Sequence, residues 1–240
     1  MAVLVLAVAV AAGSACGGDG NGAAEGTRAK RAIQTEAQKR AESMVLELSD
    51  FPDGWRASPS ENEETEDMDR FRKCLGSDYS ALTIIGEADS KDFANEDTTE
   101  ASSDATVFAS EGQAEEAIKE VSDGMQGDAA EDCFRDLIAP AVKKESPELE
   151  VGDVDIGELR LTAPRDITET RAWQIAVSLE VKSGEARGSS ATVYLDLMTL
   201  REGDSLATVK TQDVVTPFNS ESRNKLLQAL AGRMSQAGST

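Results

Sequence analysis

The chain has no histidine among its 240 residues. That absence excludes the Ser-His-Asp and Cys-His arrangements of nucleophilic catalysis, and with them most catalytic zinc sites, whose ligands are largely imidazoles. Basic residues are scarce as well: 24 Lys and Arg stand against 45 Asp and Glu, a net charge of −21. Such a surface repels phosphate backbones and anionic headgroups, so nucleic-acid binding and attachment to a membrane through a basic patch are both disfavoured. Neither a Gly-x-x-x-x-Gly-Lys-Ser/Thr loop nor a dinucleotide fingerprint occurs, so nucleotide phosphates have no cradle. Carboxylates are so plentiful that a pair such as Glu63 and Asp67 says nothing about glycosidase-type acid–base work. No catalytic residue, metal site or cofactor is expected.

What is present begins with Met1-Ala-Val-Leu-Val-Leu-Ala-Val-Ala-Val-Ala-Ala-Gly-Ser-Ala-Cys16-Gly17-Gly18. About a dozen apolar residues cannot span a ~30 Å hydrocarbon core as a helix, but they suit the apolar region of a secretory signal. Ser14-Ala15-Cys16 resembles the lipobox of bacterial lipoproteins, and the resemblance implies cleavage before Cys16 and a diacylglyceryl group on its sulfur. The alternative is an ordinary secreted chain with a free Cys16. Residues 1–15 then form a signal peptide and residues 16–28 a lipidated cysteine with a flexible Gly-rich tether. Residues 29–240 form a single extracytoplasmic domain. Two acyl chains anchor stably where one holds only marginally. At ~5–6 Å × √n the tether reaches about 20 Å, beyond a Debye length from the membrane.

With Cys16 lipidated, Cys74 and Cys133 remain as one pair in a compartment where disulfides persist. Closing a loop of that length restricts the unfolded chain by about 4 kcal/mol on the chain-entropy argument. The alternative is two free buried thiols.

Residues 29–48 carry helical spacing, with Ile33, Ala37, Ala41, Met44, Val45 and Leu48 on one stripe and Lys30, Arg31, Gln34, Lys39 and Arg40 on the other. Ser49-Asp50-Phe51-Pro52-Asp53-Gly54-Trp55 ends the helix with turn chemistry. Leu48, Phe51, Pro52, Gly54 and Trp55, followed by Cys74 and Cys133, resemble the extracellular sensor-type domains of mycobacterial transmembrane serine/threonine kinases and their stand-alone, actinobacterial lipoprotein relatives. The resemblance implies a non-enzymatic domain built as an antiparallel sheet with helices packed on it. The chain departs from the kinases in having one candidate disulfide and no kinase domain.

Residues 59–69 are acidic with almost nothing to bury, and they lack the spacing and central glycine of an EF-hand, so a solvated loop is expected. Residues 101–110 alternate as a strand. Ser110 to Gln113 fits a capping box before a helix carrying Ala114, Ala117, Ile118 and Val121. A second helix bears Ala130, Cys133, Phe134, Leu137 and Ile138 and is expected to kink or end at Pro140. The second half reads as β. A change of phase across Gly157 predicts a bulge there. Trp173, Ile175, Val177, Leu179 and Val181 predict a strand with one dry and one wet face, and Val193, Leu195 and Leu197 point inward from its partner. Leu226, Leu227, Leu230 and Met234 mark a closing helix capped by Asn219 or Ser220.

The expected class is α+β: an antiparallel sheet, a meander in the C-terminal half, packed with amphipathic helices. The expected role is non-catalytic binding or sensing by a lipid-anchored protein on the outer face of the cytoplasmic membrane, with an envelope ligand or protein as partner. Trp55, Phe71 and Tyr194 are the aromatics expected to line a ligand cleft. The alternative is a carrier of lipid or another apolar molecule across the envelope, which requires an apolar cavity of several hundred Å³.

Overall fold

In the computed structural model, residues 21–59, 73–76, 79–95, 99–127 and 129–238 are described, with side chains from residue 31 onward. Among them, eight strands form one antiparallel sheet. The strands are β1 (Arg56–Ser58), β2 (Ile84–Asp89), β3 (Asp92–Ala94), β4 (Glu100–Phe108), β5 (Leu149–Glu158), β6 (Glu169–Val181), β7 (Ser190–Glu202) and β8 (Ser205–Val214). Their order is β1-β3-β4-β8-β7-β6-β5, and β2 pairs with the same edge of β4 that β3 uses. Ser90, between β2 and β3, keeps that edge joined: its amide donates to the Ser103 carbonyl at 2.8 Å, and its hydroxyl accepts from the Ser103 amide at 2.8 Å.

The long strands β6, β7 and β8 form a meander because their connections supply tight turns. Glu202 pairs directly with Ser205, so Gly203 and Asp204 are the whole loop, and Gly203 takes the positive φ of 55° that the reversal needs. The fold is α+β, with helices on both faces of the sheet. The four described helices are α1 (Asn21–Met44), α2 (Glu111–Met125), α3 (Ala130–Glu145) and α4 (Ser220–Ala237).

On one face α1 and α4 cover Ala101, Ala105, Val107, Ala172, Met198, Leu200, Ala207 and Val209. The small residues let helix and sheet approach closely. A Cβ on Gly86 would lie 2.4 Å from the Ala37 carbonyl oxygen, so α1 can cross β2 only over a glycine. On the other face α3 buries Phe134 against Val151, Val154, Trp173, Ile175 and Val177, while α2 buries Ala114, Ala117 and Ile118 beside Phe108 and Leu206.

Several expectations are corrected here. The helix expected over 29–48 begins at Asn21 and ends at Met44, drawing residues 21–28, read as tether, into α1. Of its predicted stripe, Ala37, Ala41, Met44 and Val45 are buried, but Ile33 and Leu48 are 57% and 44% exposed. The expected capping box does not form: the Ser110 side chain makes no cap hydrogen bond, the Gln113 amide donating to the Ser110 carbonyl at 3.1 Å, and the Gln113 side chain accepts from the Thr83 amide at 3.2 Å. Of the two outcomes expected at Pro140, the helix does not end there: α3 continues to Glu145, with Ala139 and Val142 still packed on the core. The bulge in β5 lies between Val151 and Val154, whereas Gly157 pairs regularly with Gln174; Leu159, whose amide continues the ladder to the Ala172 carbonyl at 2.9 Å, and Leu161 change phase because their odd spacing from Ile156 puts them on the opposite core. Strand β6 keeps the expected alternation, with Trp173, Ile175 and Val177 buried and Gln174, Ser178, Glu180 and Lys182 half-buried or exposed, except that Ala172 on the second face is buried beneath α1 and α4, as are Met198 and Leu200 of β7. The expected Asn219 cap does form, its side chain accepting from the amides of Glu221 and Ser222.

Candidate ligand cleft

The register places residues in rows across the sheet. Glu100, Gln212, Leu195 and Ile175 are successive neighbours on β4, β8, β7 and β6, and the next row runs Ser102, Lys210, Leu197 and Trp173. Each row changes character between β8 and β7, polar on one side and apolar on the other. Helix α3 covers the apolar side and α2 lies over the Phe108 end. The middle of the face is left as an open cleft of 390 Å³, with Phe134 and Leu137 of α3 forming one wall. Ile175, Leu195 and Leu197 form the apolar floor, and Asp92, Glu100, Ser102, Lys210 and Gln212 supply the polar side.

The charges in the cleft are unevenly matched. Lys210 Nζ lies 3.2 Å from Asp104 Oδ1, and both side chains are 23% exposed, so this cation is already neutralised. Asp92 and Glu100 have no ion-pair partner among the described residues.

Beneath the floor, on the opposite face, the Asp196 carboxylate is fully buried. It accepts from Arg223 Nε at 2.8 Å, Arg223 Nη2 at 2.6 Å and Gln174 Nε2 at 2.9 Å. Arg223 Nη2 also donates to the Phe218 carbonyl at 3.0 Å. The pair therefore fixes α4 on β7 with each charge hydrogen-bonded, the condition under which a buried ion pair can be tolerated.

A broader hollow of 740 Å³ lies between α1 and α4. Both of its arginines are paired: Arg40 with Asp204 at 2.6 Å, and Arg233 with Asp50 at 2.9 Å and Glu47 at 3.2 Å. Burial works against the Arg233 charge, but the Glu47 and Asp50 carboxylates outweigh it and raise its pKa.

Two of the aromatics expected to line a cleft lie on the opposite side of the sheet from the cleft beside α3. Trp55 stacks at 4.7 Å on Phe51, itself 4.5 Å from Phe93, and packs against the core under α1. Tyr194 stands on β7, on the Asp196 face, between Ala176 and Asp213. Neither lines the cleft, and Phe71 lies outside the described residues, as does Cys16. Cys74 and Cys133 are joined as a disulfide with a Cα–Cα distance of 5.7 Å, which ties residues 73–76 to the buried side of α3. Ser222 and Lys225 on α4 have Ser-x-x-Lys spacing, but Lys225 is paired with Glu221 at 2.7 Å on an exposed surface.

The polar side of the cleft was missed from sequence, although a signal existed. In β8, Thr208, Lys210 and Gln212 alternate with Ala207, Val209 and Thr211 in a strand with neighbours on both sides. A central strand whose polar residues share one face marks a place where no helix fully covers the sheet.

Among the described residues no group of three or more His, Cys, Asp or Glu is placed to hold a metal ion, and no helix is long and apolar enough to cross a membrane.

Fold and site together define an α+β domain with a half-apolar cleft on one face of its sheet. No family model matches the chain, and no curated protein does either. Among solved structures it is similar to the extracellular domain of PknH from Mycobacterium tuberculosis, at 8% identity and a TM-score of 0.40, covering 85% of this chain and 97% of that one. It is also similar to a Rv0999 ortholog from Mycobacterium smegmatis, at 10% identity and a TM-score of 0.34, covering 81% and 82% respectively. What the protein can hold is decided by its own cleft.

Proposed function

We propose that this chain is a lipid-anchored, non-catalytic binding protein of the cell envelope, a sensor-like module that retains a small ligand in the cleft beneath α3. The observation that carries the binding role is the cleft itself. Its 390 Å³ lies in the range of small-molecule sites, and it joins an apolar floor to a few polar groups, the combination that fixes a ligand's orientation. Nothing in it resembles an activated nucleophile: the one lysine is tied to Asp104.

The anchor is supported by the apolar leader and Ser14-Ala15-Cys16, and by an acidic surface that would not adhere to anionic lipid unaided. The carrier alternative calls for an apolar cavity of several hundred Å³, a size the 390 Å³ cleft reaches. This cleft is open and polar along one side, which favours retention of a small ligand over shielding of a whole lipid.

Two measurements test the proposal. Cys16→Ala is expected to move the protein from the membrane to the soluble fraction, and retention in the membrane would contradict the anchor. Organic extracts of protein purified from its own envelope are expected to contain a small molecule that is missing from Leu137→Trp, whose larger ring fills the cleft. Identical extracts from both proteins, with no thermal stabilisation of either by envelope metabolites, would remove the binding role.

A further inference from the structure

We infer that the cleft selects a small organic cation: an apolar body lying on Ile175, Leu195 and Leu197 under Leu137, with an ammonium or guanidinium group directed at Asp92 and Glu100. The inference rests on the cleft being a binding site and adds the chemistry of what it takes.

The apolar residues of the floor come from β6 and β7, while the charged ones come from β3, β4 and β8. A ligand seated here is therefore held by its greasy part at one end and meets charge at the other. The sign of that charge follows from the pairing. Lys210 is the one cation of the lining, and Asp104 neutralises it from the adjacent strand at 3.2 Å. Asp92 and Glu100 keep their charges uncompensated by any described residue, and the whole chain adds a background of −21. An anionic ligand would have to break the Lys210–Asp104 pair while facing two carboxylates. A neutral ligand gains only the apolar contact. A cation gains both the contact and the attraction of half-buried Asp92 and exposed Glu100, an attraction that water and salt weaken, so that it is largest at low ionic strength.

The test titrates the purified full-length protein with 3-phenylpropylammonium, 3-phenylpropanol and 3-phenylpropionate, three probes of one shape and different charge, followed by calorimetry at low and high salt. The ammonium is expected to bind about tenfold more tightly than the alcohol at low salt, and the carboxylate most weakly. In Asp92→Asn/Glu100→Gln the gap between ammonium and alcohol is expected to close to within about twofold. Leu137→Trp is expected to abolish binding of all three, and Ser102→Trp, on the opposite wall, serves if Leu137→Trp does not fold. An alcohol that binds as tightly as the ammonium, or a preference for the ammonium that survives Asp92→Asn/Glu100→Gln, overturns the cation assignment while leaving the cleft as a binding site. If no probe distinguishes the wild type from the filled variants, the cleft fails as a site and the cation assignment fails with it.

Discussion

Replacing Arg223 with methionine should be among the most damaging single changes in this protein, although its side chain reaches the cleft only through Asp196. Methionine keeps most of the apolar stem that packs on β7 but removes both hydrogen bonds, at 2.8 and 2.6 Å, to the Asp196 carboxylate. That carboxylate has no exposed surface, and only Gln174 at 2.9 Å and a long bond from the Thr211 hydroxyl at 3.5 Å would remain to solvate it. Breaking a buried pair from one side costs about 3–5 kcal/mol, a large share of the ~5–15 kcal/mol that holds a typical domain together. In urea, with a slope of about 2–3 kcal/mol/M for a chain of this size, the midpoint should fall by roughly 1.5 M with the slope unchanged. The double variant Arg223→Met/Asp196→Leu removes both charges and should recover most of the loss, because an apolar pair of similar volume often replaces a buried ion pair without net cost. The reasoning is refuted if Arg223→Met costs less than about 1 kcal/mol, or if the double variant is as unstable as the two single variants added together.

Other consequences are equally open to measurement. Cys133→Ser should lower stability by about 4 kcal/mol through the freed loop, and peptide mapping without reductant should recover Cys74 joined to Cys133 in the parent protein. Gly86→Ala should cost about 1–3 kcal/mol in thermal unfolding, because the new methyl would meet backbone atoms of α1 that cannot swing aside. Val215 is a β-branched residue, 68% exposed, at φ 79°, so Val215→Gly should stabilise the protein by about 1 kcal/mol; a loss of stability would show that the turn is not strained.

The architecture was legible in the sequence wherever a residue's neighbours along the chain determine its environment. The buried stripes of α2, α3 and α4, the long strand around Trp173 and the cap at Asn219 all follow from local spacing. The rest depended on pairing between distant segments. Met198 and Leu200 are fully buried because α1 and α4 arrive from opposite ends of the chain, and nothing local to β7 announces that. Asp196 reads as an outward polar residue until Arg223 is brought over it. The cleft was harder still, since its polar half comes from three strands that become neighbours only in the folded sheet. Large aromatics were a poor guide to it: Trp55 is occupied with Phe51, and the hollow remains where side chains such as Ser102 and Leu195 are too small to fill the gap beside α3.

Strand β7 has a double allegiance. Leu195 and Leu197 form part of the floor on which a ligand would rest, while Asp196, between them, grips the helix on the far side. A strand shared in this way cannot shift for the occupant of one face without pulling on the other, so the grip on α4 and the shape of the cleft are settled together by three consecutive residues.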